Sequence, residues 1–376
     1  MRRNRHIIIP NTVSTIGESA FEFCRNLVSV GVNQLGLFSP AANNLSTINI
    51  PDGVTSIDAY TFWNCENLQC IEIPSSVKYI DECVFEGCQS LKTVTISSSV
   101  ESIGNDSFFD CCKLSNINVS PDNKYYASID GVLFDKSIST LIKYPEGKIC
   151  EYTIPNTVRC IETRAFNWCS GLLKINIPDS VEIIRPDNLR HCIDLAEITV
   201  SDNNQYYHSI GGVLFDKSKS SLIRYPEGKN ERVYTIPYSV TTIEGNAFMD
   251  CFKIFKVDIP DSVVYIKRYA FFCCSNLRSL NIPDKVKDIG ERSFYMCCNI
   301  ESLTIPDNTI DIGEYAFEDC FNLIGITIGK NVEYIAHNAF QGCSKVMDIC
   351  INKEINRISG APRGAIDADI KWQGEF

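Results

Sequence analysis

The sequence offers little of what most functional classes require. No apolar stretch reaches transmembrane length, which argues against a helix that spans a bilayer. No basic run extends beyond Arg2, Arg3 and Arg5, and the net charge is −11, so there is no electrostatic footprint for a nucleic-acid partner. Histidine is scarce: His6, His191, His208 and His337 are not spaced for a catalytic triad or a metal pair. No C-x-x-C occurs despite 19 cysteines, which removes the commonest zinc and redox signatures. The segment Gly325 to Asn331 superficially suggests a phosphate loop, but it is one residue short and lacks the Ser or Thr that would hold magnesium. The charged N-terminus is not followed by the apolar run of a signal peptide. Ile7-Ile8-Ile9-Pro10 already reads as part of a repeat, so the chain is expected to be a fragment or to lack its N-terminal neighbours. No catalytic residue, metal or cofactor is expected.

What the chain does have is a strict period. Phenylalanines stand at 62, 85 and 108, and again at 248, 271, 294, 317 and 340, with 23 residues between neighbours in each run. Phe21 and Phe166 join this column, and Leu189 takes the same place in one worn unit. Five positions before the ring is always Ile, as at Ile57, Ile80 and Ile266, and three after is always Cys, as at Cys65, Cys88 and Cys274. The consensus is I-P-x-x-V-x-x-I-x-x-x-A-F-x-x-C-x-x-L-x-x-I-x-I. A fixed period of this length marks a solenoid, because no unit can bury its own apolar face.

The spacing predicts an α/β-type repeat solenoid. The tail L-x-x-I-x-I alternates like a short strand, and the following Pro stops it. The spacing of A-F-x-x-C-x-x-L is close to one helical turn, which predicts a short helical or 3₁₀ stretch. Stacked coils would align their strands into one long parallel sheet, buried on its inner side. Residues 1–376 read as a single solenoid of about 12 coils, with a degenerate C-terminal cap over 352–376. The 41 residues from Phe21 to Phe62 fit one shortened coil ending at Leu45, Ile48 and Ile50.

Two longer gaps, of 58 and 59 residues, interrupt the period and copy each other. Both contain Gly-Val-Leu-Phe-Asp-Lys and Tyr-Pro-Glu-Gly-Lys, near 121–150 and 201–232. In each, two short apolar runs flank a polar loop of five residues, the pattern of an inserted β-hairpin.

Eleven of the 19 cysteines occupy the one position beside the core Phe. That regularity predicts a ladder of buried, small, apolar thiols. Disulfides between neighbouring coils are disfavoured, since side chains stacked in parallel aim poorly at one another. Metal is disfavoured too, because structural zinc needs converging ligands and not a linear stack.

The 23-residue consensus, with A-F-x-x-C followed by I-P, resembles the BspA-type leucine-rich repeats over residues 7 to about 360. The paired G-V-L-F-D-K and Y-P-E-G-K strings resemble inserts of the same family. The resemblance implies a curved right-handed leucine-rich repeat solenoid, of a kind frequent on microbial cell surfaces, with adhesion or binding as the function. It implies a surface or secreted location, and it brings no catalytic residues.

Two surfaces are candidates for binding. The position ten residues after the Phe faces outward from the strand and reads Asn49, Glu72, Thr95, Asn118, Asn176, Thr199, Asp258, Asn281, Thr304 and Thr327. Such a column could form a hydrogen-bonding platform, or it could reflect only the stacking preference of exposed parallel strands. The inserts carry Tyr125, Tyr126, Tyr144, Tyr206, Tyr207 and Tyr225. These rings could make ligand contacts, since Tyr is favoured at interface hot spots, or they could pack the hairpins onto the solenoid. The expected function is a non-enzymatic protein- or glycan-binding module, acting as a monomer without nucleic acid or membrane insertion. The alternative is a structural spacer in a larger surface protein.

Overall fold

A computed structural model describes residues 6–8, 12–24, 29–31, 47–185, 187–336, 338–352 and 369–372. Of the shortened coil, Leu45 lies outside the described residues, and so does most of the expected C-terminal cap. The chain falls into two compact units. One comprises Met1–Cys150, Ile154–Leu172 and Ser180–Cys192; the other comprises Glu151–Thr153, Leu173–Asp179 and Ile193–Phe376. Each is a parallel β-solenoid of stacked coils.

In the first unit the strand tails form a six-stranded parallel sheet, running from His6–Ile8 through Ser29–Gly31, Thr47–Asn49, Cys70–Ile73 and Thr93–Ile96 to Asn116–Val119. Two-residue strands around the Ile column, from Thr15–Ile16 to Ser102–Ile103, make a second parallel sheet. In the second unit the Ile column runs through an eight-stranded sheet that ends at Tyr334–Ile335. The strand tails there form three separate sheets of three, two and four strands. The expected single long sheet is thus divided into shorter ones.

The column residues fill the core. Phe62, Phe85, Phe248, Phe271, Phe294, Phe317 and Phe340 are fully buried, together with the Val, Ile, Cys and Leu positions around them. Successive rings stack nearly parallel, with centroids 5.4, 5.6 and 5.8 Å apart from Phe21 to Phe108 and 4.7 to 5.4 Å apart from Phe248 to Phe340. Each ring buries its area against identical neighbours and adds about 0.5–1.5 kcal/mol of stacking. Thr309 replaces Val in its column, and its hydroxyl donates to the Val286 carbonyl at 2.9 Å, which satisfies the buried oxygen.

No helix forms among the described residues. Where the spacing predicts a helical stretch, the chain makes successive turns. The cause is visible in the backbone. Residues two before and two after the ring have positive φ, as at Tyr60 and Asn64 (59° and 55°) or Tyr269 and Cys273 (58° and 57°). A left-handed non-glycine residue costs roughly 1–2 kcal/mol, so the arrangement needs compensation. It comes from the neighbouring coil. The amides of Cys83, Phe85 and Gly87 donate to the carbonyls of Asn105, Ser107 and Phe109 at 3.0, 2.9 and 2.9 Å. Those of Tyr269, Phe271 and Cys273 donate to Glu291, Ser293 and Tyr295 at 2.9, 2.7 and 2.8 Å. The left-handed residues turn amides along the stack instead of back into their own turn.

The inserts contain three antiparallel strands each: Tyr126–Ile129, Val132–Asp135 and Thr140–Lys143 in one, and Tyr207–Ile210, Val213–Asp216 and Ser221–Arg224 in the other. The third strand of each then pairs in parallel with the next Ile-column strand. Gly131 and Ser128 cap the edge strand Asn116–Val119: the Ile117 amide donates to the Gly131 carbonyl and the Val119 amide to Ser128 Oγ, both at 2.9 Å. Gly131 has φ +76°, and a Cβ there would lie 2.6 Å from Asn116 Oδ1, so only glycine fits. The loop of the hairpin is tied by Asp135, whose carboxylate accepts from the amides of Ser139 and Thr140 at 2.7 and 2.6 Å.

Candidate ligand-binding surface

The outward column lies on the strand tails, but in separate pieces. In the first unit Asn49, Glu72, Thr95 and Asn118 stand opposite one another across four adjacent strands. In the second unit Asn176 stands opposite Thr199, Thr235 opposite Asp258, and Thr304 opposite Thr327, which in turn faces Cys350. Asn281 is exposed and lies outside any strand. Glu72, Asn118 and Thr304 are exposed, while Thr95, Asn176, Thr199, Asp258 and Thr327 are half-buried.

The column residues differ in how much bonding capacity they keep. Asn176 Nδ2 donates to Thr153 Oγ1 at 3.0 Å, and the Thr199 hydroxyl donates to Asn176 Oδ1 at 2.5 Å. Those two residues spend their groups on the stack itself. The hydroxyls of Thr304 and Thr327 make no hydrogen bond to another described residue, so they remain available on the surface.

The six insert tyrosines separate into three groups. Tyr144 and Tyr225 are at most 1% exposed and therefore cannot contact a ligand. They occupy the Phe column: Tyr144 packs 5.3 Å from Phe166, and Tyr225 packs 5.2 Å from Phe248. Their amides bond the next coil as a column Phe would, to Ala165 at 2.9 Å and Ala247 at 2.7 Å. Tyr126 and Tyr207 are half-buried, and the Tyr126 hydroxyl accepts from the Ile103 amide at 3.0 Å. Tyr125 and Tyr206 remain about half exposed, at 48% and 49%, and they alone keep a ring free for a partner.

The inserts also hold polar residues that spacing did not single out. Asn123 is buried, and its amide group makes four hydrogen bonds: to the carbonyls of Ser97 and Val100 at 2.8 and 2.9 Å, and from the amides of Tyr125 and Tyr126 at 2.8 Å each. Lys143 Nζ donates to Glu146 Oε1 at 2.8 Å in a buried pair, and the same oxygen accepts from the Asp110 amide at 3.2 Å. Burial pushes the Glu146 carboxyl above its ordinary pKa, although Lys143 pulls it down. Burial, the largest single influence, works against the Lys143 ammonium, while the charge of Glu146 and its hydrogen bond are the main opposing contributions; the net direction is a raised pKa. Their recurrence as Arg224 and Glu227, again paired and buried, is the signal in the sequence that could have revealed them.

The thiol ladder has a role beyond filling space. Each buried thiol reaches the carbonyl of the ring residue one coil back: Cys88 to Phe62 at 3.2 Å, Cys111 to Phe85 at 3.1 Å, Cys274 to Phe248 at 2.9 Å and Cys297 to Phe271 at 3.2 Å. That carbonyl already accepts the amide of the Cys three residues on in its own coil, as Phe62 does from Cys65 at 3.1 Å and Phe85 from Cys88 at 3.1 Å, so the thiol is a second donor to it from the next coil. Burial pushes the Cys65 thiol up to about 12 and raises Cys88, Cys111 and Cys297 well above the ordinary range. These cysteines are protonated and free, so they supply neither a nucleophile nor a metal ligand. Among the described residues no group of three or more His, Cys, Asp or Glu is placed to hold a metal ion, and no helix is long and apolar enough to cross a membrane.

Comparison with known proteins agrees with this architecture. A family model described as the BspA-type leucine-rich repeat region matches residues 3–39, 36–141, 144–231 and 241–361. The comparison with curated proteins finds no match. Among solved structures, a leucine-rich cell surface protein from Faecalibacterium prausnitzii A2-165 is 29% identical, with a TM-score of 0.60, and the alignment covers 95% of this chain and 83% of that one. A leucine-rich repeat protein from Eubacterium ventriosum is 21% identical over 81% of this chain and 82% of that one, with a TM-score of 0.60. The pneumococcal vaccine antigen PcpA is 19% identical over 97% and 84%, with a TM-score of 0.55. The last two show the fold alone. With its repeat columns, its stacked coils and a family model matched over most of its length, the chain belongs to the BspA-type leucine-rich repeat family.

Proposed function

We propose that this chain is a non-enzymatic binding module of a microbial surface protein, which recognises a protein or glycan through its strand tails. Membership of the repeat family and the likeness to a leucine-rich cell surface protein support the setting. The observation that carries the reading is the pair Thr304 and Thr327, stacked in register on adjacent strands with hydroxyls that no described residue uses. Solenoids bind through extended faces of this kind, and a surface location fits such a task.

The test is an array of glycans and matrix proteins probed with the purified chain. At least one ligand is expected to bind, and Thr304→Lys with Thr327→Lys should weaken it at least tenfold. An array with no binder, or binding indifferent to both lysines and to every other column residue, overturns the reading.

A further inference from the structure

Among the described residues, the turn of Phe108 in the first unit departs from the pattern of the coils before it. In the coils of Phe21, Phe62 and Phe85, three amides per turn donate to carbonyls of the following coil. The coil of Phe108 is followed by the insert, which reaches the ring column by a shorter path. Leu141 stands opposite Ile161 in the Ile column, and Tyr144 supplies the ring only three residues later, where a regular coil takes five. Main chain that would have received the amides of the Phe108 turn is absent.

The insert compensates at both ends of that turn. Tyr126 Oη accepts from the Ile103 amide at 3.0 Å, and Glu146 Oε1 accepts from the Asp110 amide at 3.2 Å. Between them the amides of Asp106 and Phe108 meet no acceptor among the described residues. A main-chain donor without a protein acceptor must be satisfied by water or by a ligand. Asp106 and Phe108 line a cleft of about 690 Å³, together with Ile142, Lys143, Thr163 and Arg164.

The chemistry of the cleft narrows its occupant. Asp106, Asp135 and Glu162 on its wall are matched in number by Lys143, Arg164 and Arg185, and Arg164 and Arg185 pair with Asp106 and Glu162. A balanced wall gives a free oxyanion no net attraction, so neutral acceptors are favoured. The two open donors are two residues apart. That is the spacing with which Cys83 and Phe85 receive the main-chain carbonyls of Asn105 and Ser107.

We infer that this cleft binds the main chain of a peptide segment from a partner protein, with two of its carbonyls taking the Asp106 and Phe108 amides in place of the missing turn. Main-chain pairing of this sort supplies affinity where a fold leaves backbone donors open. The inference rests on the reading of the chain as a binding module, and it names the class of partner and a second site.

A display library of random linear nine-residue peptides, panned against the full chain, tests it. Enriched peptides should bind Thr163→Trp, which fills the rim of the cleft, at least tenfold more weakly than the parent, with Thr304→Lys without effect. A matching thermal melt verifies that the tryptophan variant is folded. Amide exchange followed by NMR gives an independent measure. The Phe108 amide should exchange much faster than that of Phe85 in the free chain and slow at least tenfold on adding an enriched peptide. A Phe108 amide as protected as Phe85 without peptide overturns the inference. So does peptide binding that survives Thr163→Trp and is lost with Thr304→Lys, or binding of glycans alone; either leaves the binding-module reading standing. No binding of peptide or glycan overturns both.

Discussion

Replacing Lys143 by Met isolates the one buried ion pair of the first insert. Lys143 is 8% exposed and Glu146 1%, with nitrogen and oxygen 2.8 Å apart. Met keeps most of the stem but removes the ammonium, and Glu146 is left as a buried carboxylate with only the Asp110 amide to support it. Breaking a buried pair from one side costs about 3–5 kcal/mol. Adding Glu146→Gln to Lys143→Met removes the stranded charge while keeping Oε1 as an acceptor for the Asp110 amide. That acceptor matters, since an orphaned buried amide costs about 1–3 kcal/mol. The double variant should return to within about 1 kcal/mol of the parent or exceed it, because exchanging a buried pair for neutral groups is often neutral or stabilising.

The pH dependence has a definite sign. Burial already raises the Glu146 carboxyl, and loss of Lys143 removes the attraction that opposes it. In Lys143→Met the folded pKa therefore lies above the unfolded value of about 4.3. The folded state then holds its proton more tightly, so stability falls as pH rises from the unfolded value through the folded one. The cost of Lys143→Met should be smaller at mildly acidic pH than at mildly alkaline pH. Urea unfolding followed by the fluorescence of Trp168, which lies in the same unit, measures it. A cost below about 1 kcal/mol at alkaline pH, a cost flat with pH, or a double variant no better than the single one would refute the reasoning.

Two further outcomes follow from the buried polar groups. Asn123→Ala strands two carbonyls and two amides and should cost at least about 3 kcal/mol by the same unfolding assay; a loss under about 1 kcal/mol would mean that water replaces the side chain. Iodoacetamide at neutral pH should modify exposed Cys112 well before Cys88, Cys111 and Cys297, whose thiols burial holds protonated. Peptide mass mapping of the native chain decides this, and equal modification of Cys111 and Cys112 would contradict the ladder.

The columns were legible because stacking forces identical environments on identical positions. An Ile five before the ring and a Cys three after it cannot both recur by chance in eleven units. What spacing could not give was the backbone. A repeat of three residues serves a helix and a chain of turns equally well, and only φ at positions such as Tyr60 and Asn64 separates them. The thiols were read as filler because sequence shows that Cys is small and not that a carbonyl waits beside it. Tyr144 and Tyr225 group in the sequence with the insert tyrosines, open to ligand contact or to packing, and not with the ring column, because the insert shortens the path between Ile and ring columns. The register count therefore failed at the two positions where a tyrosine continued the phenylalanine stack.

That failure bears on where function resides. In a regular coil the turn amides are consumed by the next coil, and the ring carbonyl by the Cys amide of its own coil and the thiol of the next. The inner columns and the turn backbone then have nothing left to offer a ligand, however invariant they are. Bonding capacity survives in two kinds of place: outward strand positions that do not pair with each other, such as Thr304 and Thr327, and interruptions where a coil lacks its neighbour's backbone, as at Phe108. Both are weak signals in a consensus, the first because it varies from coil to coil and the second because it consists of residues that are missing. The residues that define this family are thus committed to holding the stack together, and a ligand specific to this chain would be recognised by what departs from the repeat.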